Sequence, residues 1–305
     1  MINESLQGKN KFIIKRQHLQ LLLDALGKRG YRIMGPTVGE GAIVYDELTS
    51  IDELPIGWTD EQDGGTYRLK RRSDKALFGY VVGPQSWKKF LHPPVMRLWR
   101  AKRNDKDFEI VEEKEDTPKY AFIGVRSCEL HAIAVQDTVF MTGQYVNPSY
   151  KLRRENTFIV AVNCGQAGGT CFCVSMNTGP KATFGFDLAL TEVLEDGRHY
   201  FVVEIGTDLG EEILNEVPHE EATGEEKETA EQIVERTATQ MGRVMDTADI
   251  LSYSSKRKFP YPFNHLRREA IFSYLDDVEE AENPWVGIVK FVREKYIDLI
   301  VMMTF

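Results

Sequence analysis

The spacing of apolar side chains divides this sequence into helices and strands. Within RQHLQLLLDALGKRG (residues 16–30), Leu19, Leu22, Leu23 and Leu26 recur at the interval of one helix face. Gly27 and Gly30 bracket the end, where Lys28 and Arg29 complement the carboxyl-terminal dipole. An amphipathic core helix is predicted, with His18 solvated or capping beside it. Residues 32–38 and 42–48 read as two strands about a glycine-rich turn at 39–41. A loop through Pro55, Gly57 and Trp58 leads to a strand at 66–72, where Lys70, Arg71 and Arg72 read as a solvated strand end. SWKKFLH forms a short helix stopped by Pro93-Pro94, and the polar run 104–119 a loop or edge hairpin.

The middle of the chain carries the clearest unit. Residues 120–125 are a short apolar strand, and CELHAIAVQDTVFM follows with helical spacing. Leu130, Ile133, Ala134 and Val139 make one buried stripe of that helix. A loop, TGQYVNPSYKLRREN, leads to a second strand at 157–162. Strand, helix and strand in that order predict a right-handed parallel crossover, whose ligands gather beyond the carboxyl ends of its strands. Beyond it the pattern predicts a helix at 187–194, a strand at 199–206 and a helix at 208–217. An acidic helical stretch at 219–240 and a helix near 265–278 complete the series. The expected fold is α/β: a mixed sheet with flanking helices around a β-α-β crossover, and an acidic helical carboxyl-terminal part. Residues 1–240 form the α/β domain in this reading, and residues 241–305 a helical tail.

Charge narrows the partners. The 305 residues hold 38 basic and 47 acidic side chains, a net charge of −9 that disfavours general binding to nucleic acid or anionic membranes. No run reaches the ~18 apolar residues of a membrane span, and MINESLQGKNKF lacks the apolar core of a secretory signal. A cytoplasmic protein is expected. Against this acidity, Lys88, Lys89, Arg97, Arg100, Lys102 and Arg103 form a local positive island. It reads either as a packed surface loop or as a docking surface.

All four cysteines lie in one stretch, as Cys128, Cys164, Cys171 and Cys173, spaced C-x35-C-x6-C-x-C. Neither the paired C-x2-C of zinc ribbons nor the C-x2-C-x2-C of ferredoxins is present. Cysteines in a cytosolic chain point to metal ligands or redox groups before disulfides. The crossover places Cys128 after its first strand and Cys164 after its second, at one sheet edge. Cys171 and Cys173 arrive from GQAGGT, whose glycines permit close backbone approach. Four readings stay open: an iron–sulfur site, a structural zinc site, redox-active thiols with Cys128 stabilised at a helix N-terminus, and inert buried cysteines. His131 reads as a packing residue near the site, and Asp137 and Asp187 as orienting groups rather than a catalytic pair. Nucleophile elbow, GxxxxGK[ST], HExxH and GxGxxG are all absent.

GPQSWKKFLHPP, FIGVRSCELHAIAVQD, and VNCGQAGGTCFCVSMNTGP with GFDLALTE resemble the 4Fe-4S dicluster β-subunit family. That family includes the β subunits of cytosolic nickel–iron hydrogenases (sulfhydrogenases) and the A subunit of anaerobic sulfite reductase. The likeness extends over roughly residues 10–284. It implies an electron-transfer subunit between a flavin- or nucleotide-bearing subunit and a catalytic hydrogenase or sulfite reductase subunit. It also implies a 4Fe-4S cluster on Cys128, Cys164, Cys171 and Cys173. Family members continue into two ferredoxin-like cysteine runs that bind two further clusters. This sequence ends at Phe305 without them, so a truncated product holding one cluster at most is expected. The rival expectation is a non-redox scaffold stabilised by zinc or free thiols.

Overall fold

Eight strands form a mixed sheet whose centre is the crossover. The computed structural model describes residues 11–97, 99–104, 107–112, 118–142, 146–195 and 197–247. In chain order the strands are β1 (Lys11–Lys15), β2 (Tyr31–Gly39), β3 (Ala42–Glu47), β4 (Trp58–Asp63), β5 (Thr66–Arg71), β6 (Trp99–Asn104), β7 (Asp107–Glu112), β8 (Lys119–Val125), β9 (Thr157–Val162), β10 (Leu188–Glu195), β11 (Arg198–Ile205) and β12 (Glu220–Glu221). The helices are α1 (Leu19–Lys28), α2 (Lys88–Leu91), α3 (Ser127–Met141), α4 (Pro148–Glu155), α5 (Asp208–Leu214) and α6 (Gly224–Ala238). Across the sheet the order is β12-β1-β11-β10-β9-β8-β2-β3, while β4–β5 and β6–β7 are separate antiparallel pairs. The pairs β2–β8, β8–β9 and β9–β10 are parallel; the outer pairs are antiparallel.

Strands β8 and β9 are apolar at nearly every position because both faces of the sheet are covered. Ala121, Ile123, Phe158, Val160 and Val162 face one core with Leu19, Leu22, Leu23 and Leu26 of α1 and Ile213 and Leu214 of α5. Phe122, Ile159 and Ala161 face the other, with Leu130 and Ile133 of α3, Tyr150 of α4 and Trp87. On that second side α6 lays Ala230 over Ile13, Val193 and Val202. Helices thus flank a mixed sheet, as the α/β reading expects.

Four expectations change. Residues 188–195 are a strand, because β10 slots between β9 and β11 with both faces buried. A short apolar run fits helix and strand periods alike. The expected loop at 142–156 contains α4, started by Pro148 and by Asn147, whose Oδ1 accepts the Tyr150 N–H at 3.0 Å. Residues 58–63, expected as loop, pair with β5 through the Gly64-Gly65 turn. In α3 the buried stripe is Leu130 and Ile133; Val139 is 37% exposed. The polar run near 104–119 yields the β6–β7 hairpin, and the helix near 265–278 lies outside the described residues.

Candidate functional site

The site begins at the carboxyl end of β8. Gly124 adopts φ +91°, and the β8–β9 register slips between Ile123 and Val125. This bulge turns Val125 onto the same face as Phe122, against the two-residue alternation. Only glycine takes that backbone freely, and an added Cβ would stand 3.2 Å from the Phe78 ring. The chain then delivers Arg126 into the interior and Cys128 into the first turn of α3. Glu129 Oε2 accepts the Arg126 N–H at 2.9 Å, capping the helix start.

From β9 the chain runs through Asn163 to Cys164. Asn163 is buried and fully used: its Oδ1 accepts the Ala182 N–H at 2.8 Å, and its Nδ2 donates to Thr191 Oγ1 at 2.9 Å. The returning strand approach is tied to both cysteine-bearing turns. The Cys164 N–H donates to Pro180 O at 3.3 Å, and Ser127 Oγ donates to Lys181 O at 2.8 Å. Gly179 packs closely against Cys173 and Ser127: an added Cβ would stand 3.2 Å from Cys173 Sγ and 3.4 Å from Ser127 Cβ. The loop between is held on its outer side. Gln166 donates to Thr59 Oγ1 at 2.6 Å and accepts from Arg72, while Thr170 donates to Gln62 Oε1 at 2.8 Å. The segment after α6 closes over it, with the Arg243 N–H on Cys171 O at 2.9 Å and Cys173 Sγ 3.7 Å from Met241 Sδ. Gly169 touches both Gln62 O and Gly242, so neither glycine can carry a side chain there.

The four cysteines are free, half-buried thiols near enough for Cys128 and Cys173 to feel the charge of the others. Burial pushes the thiol pKa of Cys128 well up, with Glu129, Cys164, Cys173 and Cys171 adding repulsion. Cys173 is pushed up to about 11 by burial and by Cys164 and Cys171. Burial also raises Cys164, opposed by the Arg126 guanidinium, and Cys171, opposed by the Gly168 N–H that lies 3.3 Å from its Sγ. Thiols that resist ionisation when close together gain most from a positive centre shared among them. Among the described residues no group of three His, Cys, Asp or Glu is placed to hold a metal ion. A tetrahedral zinc draws its sulfurs to ~2.3 Å from itself. Four cysteine sulfurs, one of them met by the Gly168 N–H at 3.3 Å, are the donor chemistry of either a zinc ion or an iron–sulfur cluster.

The other singled-out residues serve the fold. His131 packs edge-on against Phe184 at 4.7 Å, and burial lowers its pKa. Asp137 accepts from Tyr150 Oη at 2.7 Å and pairs with Arg154, joining α3 to α4. Asp187 accepts the Ile159 N–H at 2.7 Å and Thr207 Oγ1 at 2.6 Å, pinning β9 to the start of β10. Lys70 pairs with Glu61, Arg71 lies 3.7 Å over the Trp58 ring, and Arg72 pairs with Asp74. Sequence reasoning missed Arg126 and Glu129. Two charged residues flanking a cysteine inside an otherwise apolar crossover were the available signal.

No protein-family model matches the chain. It is similar to subunit beta of sulfhydrogenase 2 from Pyrococcus furiosus, at 28% identity over 232 residues. The match takes in 74% of this chain and spans 59% of the relative's own length. No helix among the described residues is long and apolar enough to cross a membrane.

Proposed function

We propose that this chain is an electron-transfer subunit of an oxidoreductase complex of the hydrogenase or sulfite reductase kind, holding one 4Fe-4S cluster on Cys128, Cys164, Cys171 and Cys173. The convergence of these four free thiols at the carboxyl edge of β8 and β9 carries this reading. Similarity to a sulfhydrogenase subunit beta supports it. When bound, such a cluster takes up and passes on single electrons. The chain's own part is to supply four thiolates, shield them by burial and direct N–H groups at Cys171 and Cys173. No substrate chemistry is assigned to it. A flavin- or nucleotide-bearing subunit and a catalytic subunit are the partners this role requires.

The test is iron and acid-labile sulfide content of anaerobically purified protein, with EPR after dithionite reduction. About four irons and four sulfides per chain are expected, lost in the Cys171→Ser, Cys173→Ser double variant. One equivalent of zinc would overturn the redox role in favour of a structural adaptor. Absence of any metal would overturn both.

A further inference from the structure

Next to the thiols the chain buries a full positive charge. Arg126 is 1% exposed. Its Nη2 donates to Phe78 O at 2.8 Å and Tyr80 O at 2.9 Å, and its Nη1 to Val162 O at 3.4 Å and Asn163 O at 3.3 Å. The guanidinium carbon lies 5.1 Å over the Tyr80 ring. Nε is buried without a hydrogen-bond partner among the described residues. One side chain therefore ties the turn before Cys164 to the segment after β5. That segment is itself fixed by Glu192, which accepts the Leu77 and Phe78 N–H groups at 2.7 and 2.9 Å.

Hydrogen bonds satisfy the donors but leave the charge. The four acceptors are neutral carbonyls, and guanidinium does not deprotonate in proteins. A buried ion without a counter-charge costs several kcal/mol even after relaxation. Glu129 is the nearby carboxylate, but it accepts from Tyr45 Oη at 2.5 Å and from the Arg126 backbone N–H at 2.9 Å, and among the described residues no ion pair joins it to the guanidinium. The guanidinium instead faces the thiol site: its Nη1 holds the carbonyl of Asn163, the residue joined to Cys164, and its Nε is the buried donor left over.

We infer that Arg126 is the fixed counter-charge of the four-thiolate site, a positioning residue whose buried cation raises the reduction potential of the centre held there. The inference rests on the iron–sulfur reading above. In a titration each dithionite, oxidised with two waters to two hydrogensulfites and two protons released to solvent, supplies two electrons, one to each of two thiolate-held centres, and no proton is exchanged at Arg126. The reduced form carries one more negative charge, so a cation in a low-dielectric interior stabilises it more than the oxidised form.

The experiment is an EPR-monitored redox titration of the anaerobic full chain, alongside its melting temperature and iron content, for wild type, Arg126→Lys and Arg126→Gln. Arg126→Gln is expected to lower the equilibrium constant for reduction tenfold or more, a negative shift of about 59 mV for one electron. Arg126→Lys keeps the charge and is expected within about threefold of wild type. Neither variant can make all four carbonyl contacts, and both are expected to melt lower. A wild-type potential in iron-replete Arg126→Gln, or equal shifts in both variants, overturns the inference, because the effect then follows packing rather than charge. If Arg126→Gln folds without iron, Arg126→Lys must retain it; an equally empty Arg126→Lys makes the role structural and overturns the inference. Wild type devoid of iron and sulfide would instead remove the underlying reading, a separately visible result.

Discussion

Gly124 links backbone conformation to the site through one residue. Its positive φ makes the bulge that re-aims β8, and the next residues are Arg126 and Cys128. Gly124→Ala is expected to cost about 1–3 kcal/mol from backbone strain, with further crowding against Phe78. Urea denaturation would measure that loss; on the proposed iron–sulfur reading, iron content should fall in the same variant because Arg126 and Cys128 are displaced. Gly169 makes the same point in a loop, since its backbone contacts Gln62 and Gly242 at once. None of these glycines is marked by hydrophobic pattern. The cysteines were legible in sequence because their residue type is rare and confined; the glycines and Arg126 gain meaning only from what surrounds them.

Elements were legible where an apolar pattern fits only one period or lies within a strand-sized run. Helix α1 reads directly from its leucines because only one face meets the core. Strands β8, β9 and β11 were found as apolar runs, and β10 was not, since LALTEV satisfies either period until its neighbours are known. Asp187, at the start of β10, shows how such a strand is locked: it accepts a β9 amide and the hydroxyl of Thr207, which follows β11. Asp187→Ala would leave that amide unsatisfied in a half-buried position, and a loss of about 1–3 kcal/mol is expected. Chemical denaturation checks it; a loss within about 0.5 kcal/mol, as at ordinary surface positions, would contradict the role. Helix α4 was missed because its start signal, Asn147-Pro148, is local and polar while its apolar content is low.

At the scale of the molecule two sets of carboxylates titrate in opposite senses. Burial raises Asp60 and Asp187, so folding binds their protons more tightly. Their cost at neutral pH is relieved as pH falls through their raised values to the unfolded range near 4. Glu231 is held low against burial by Lys11 and Lys181, and Asp74 is held low by Arg72. Their stabilisation is present above that same unfolded range and disappears as pH drops through their folded values. Melting temperature should therefore hold or rise slightly between pH 7 and about 4.5 and fall steeply below about 4. Glu231→Gln should flatten the acid limb; an unchanged limb would show that Lys11 and Lys181 contribute nothing there. On the surface, Lys88 and Arg97 remain the testable part of the positive island, whereas Lys89 already donates to Tyr45 O at 2.6 Å. Reversing both Lys88 and Arg97 to glutamate should slow partner association and weaken its salt dependence, leaving iron content unchanged. Unaltered association kinetics would remove the docking role.

By itself the sequence determined the α/β class, the crossover and the confinement of every cysteine to it and the loop that follows, because apolar periodicity and residue type are local properties. It also determined that Cys128 and Cys164 follow successive strands. Tertiary structure alone decided that residues 188–195 extend the sheet and that the segment after α6 closes over Cys171 and Cys173. It alone placed Arg126 in the interior beside Cys164. Each of these depends on which surfaces remain unburied once the rest has packed, and on where a charge without water must find its counter-charge.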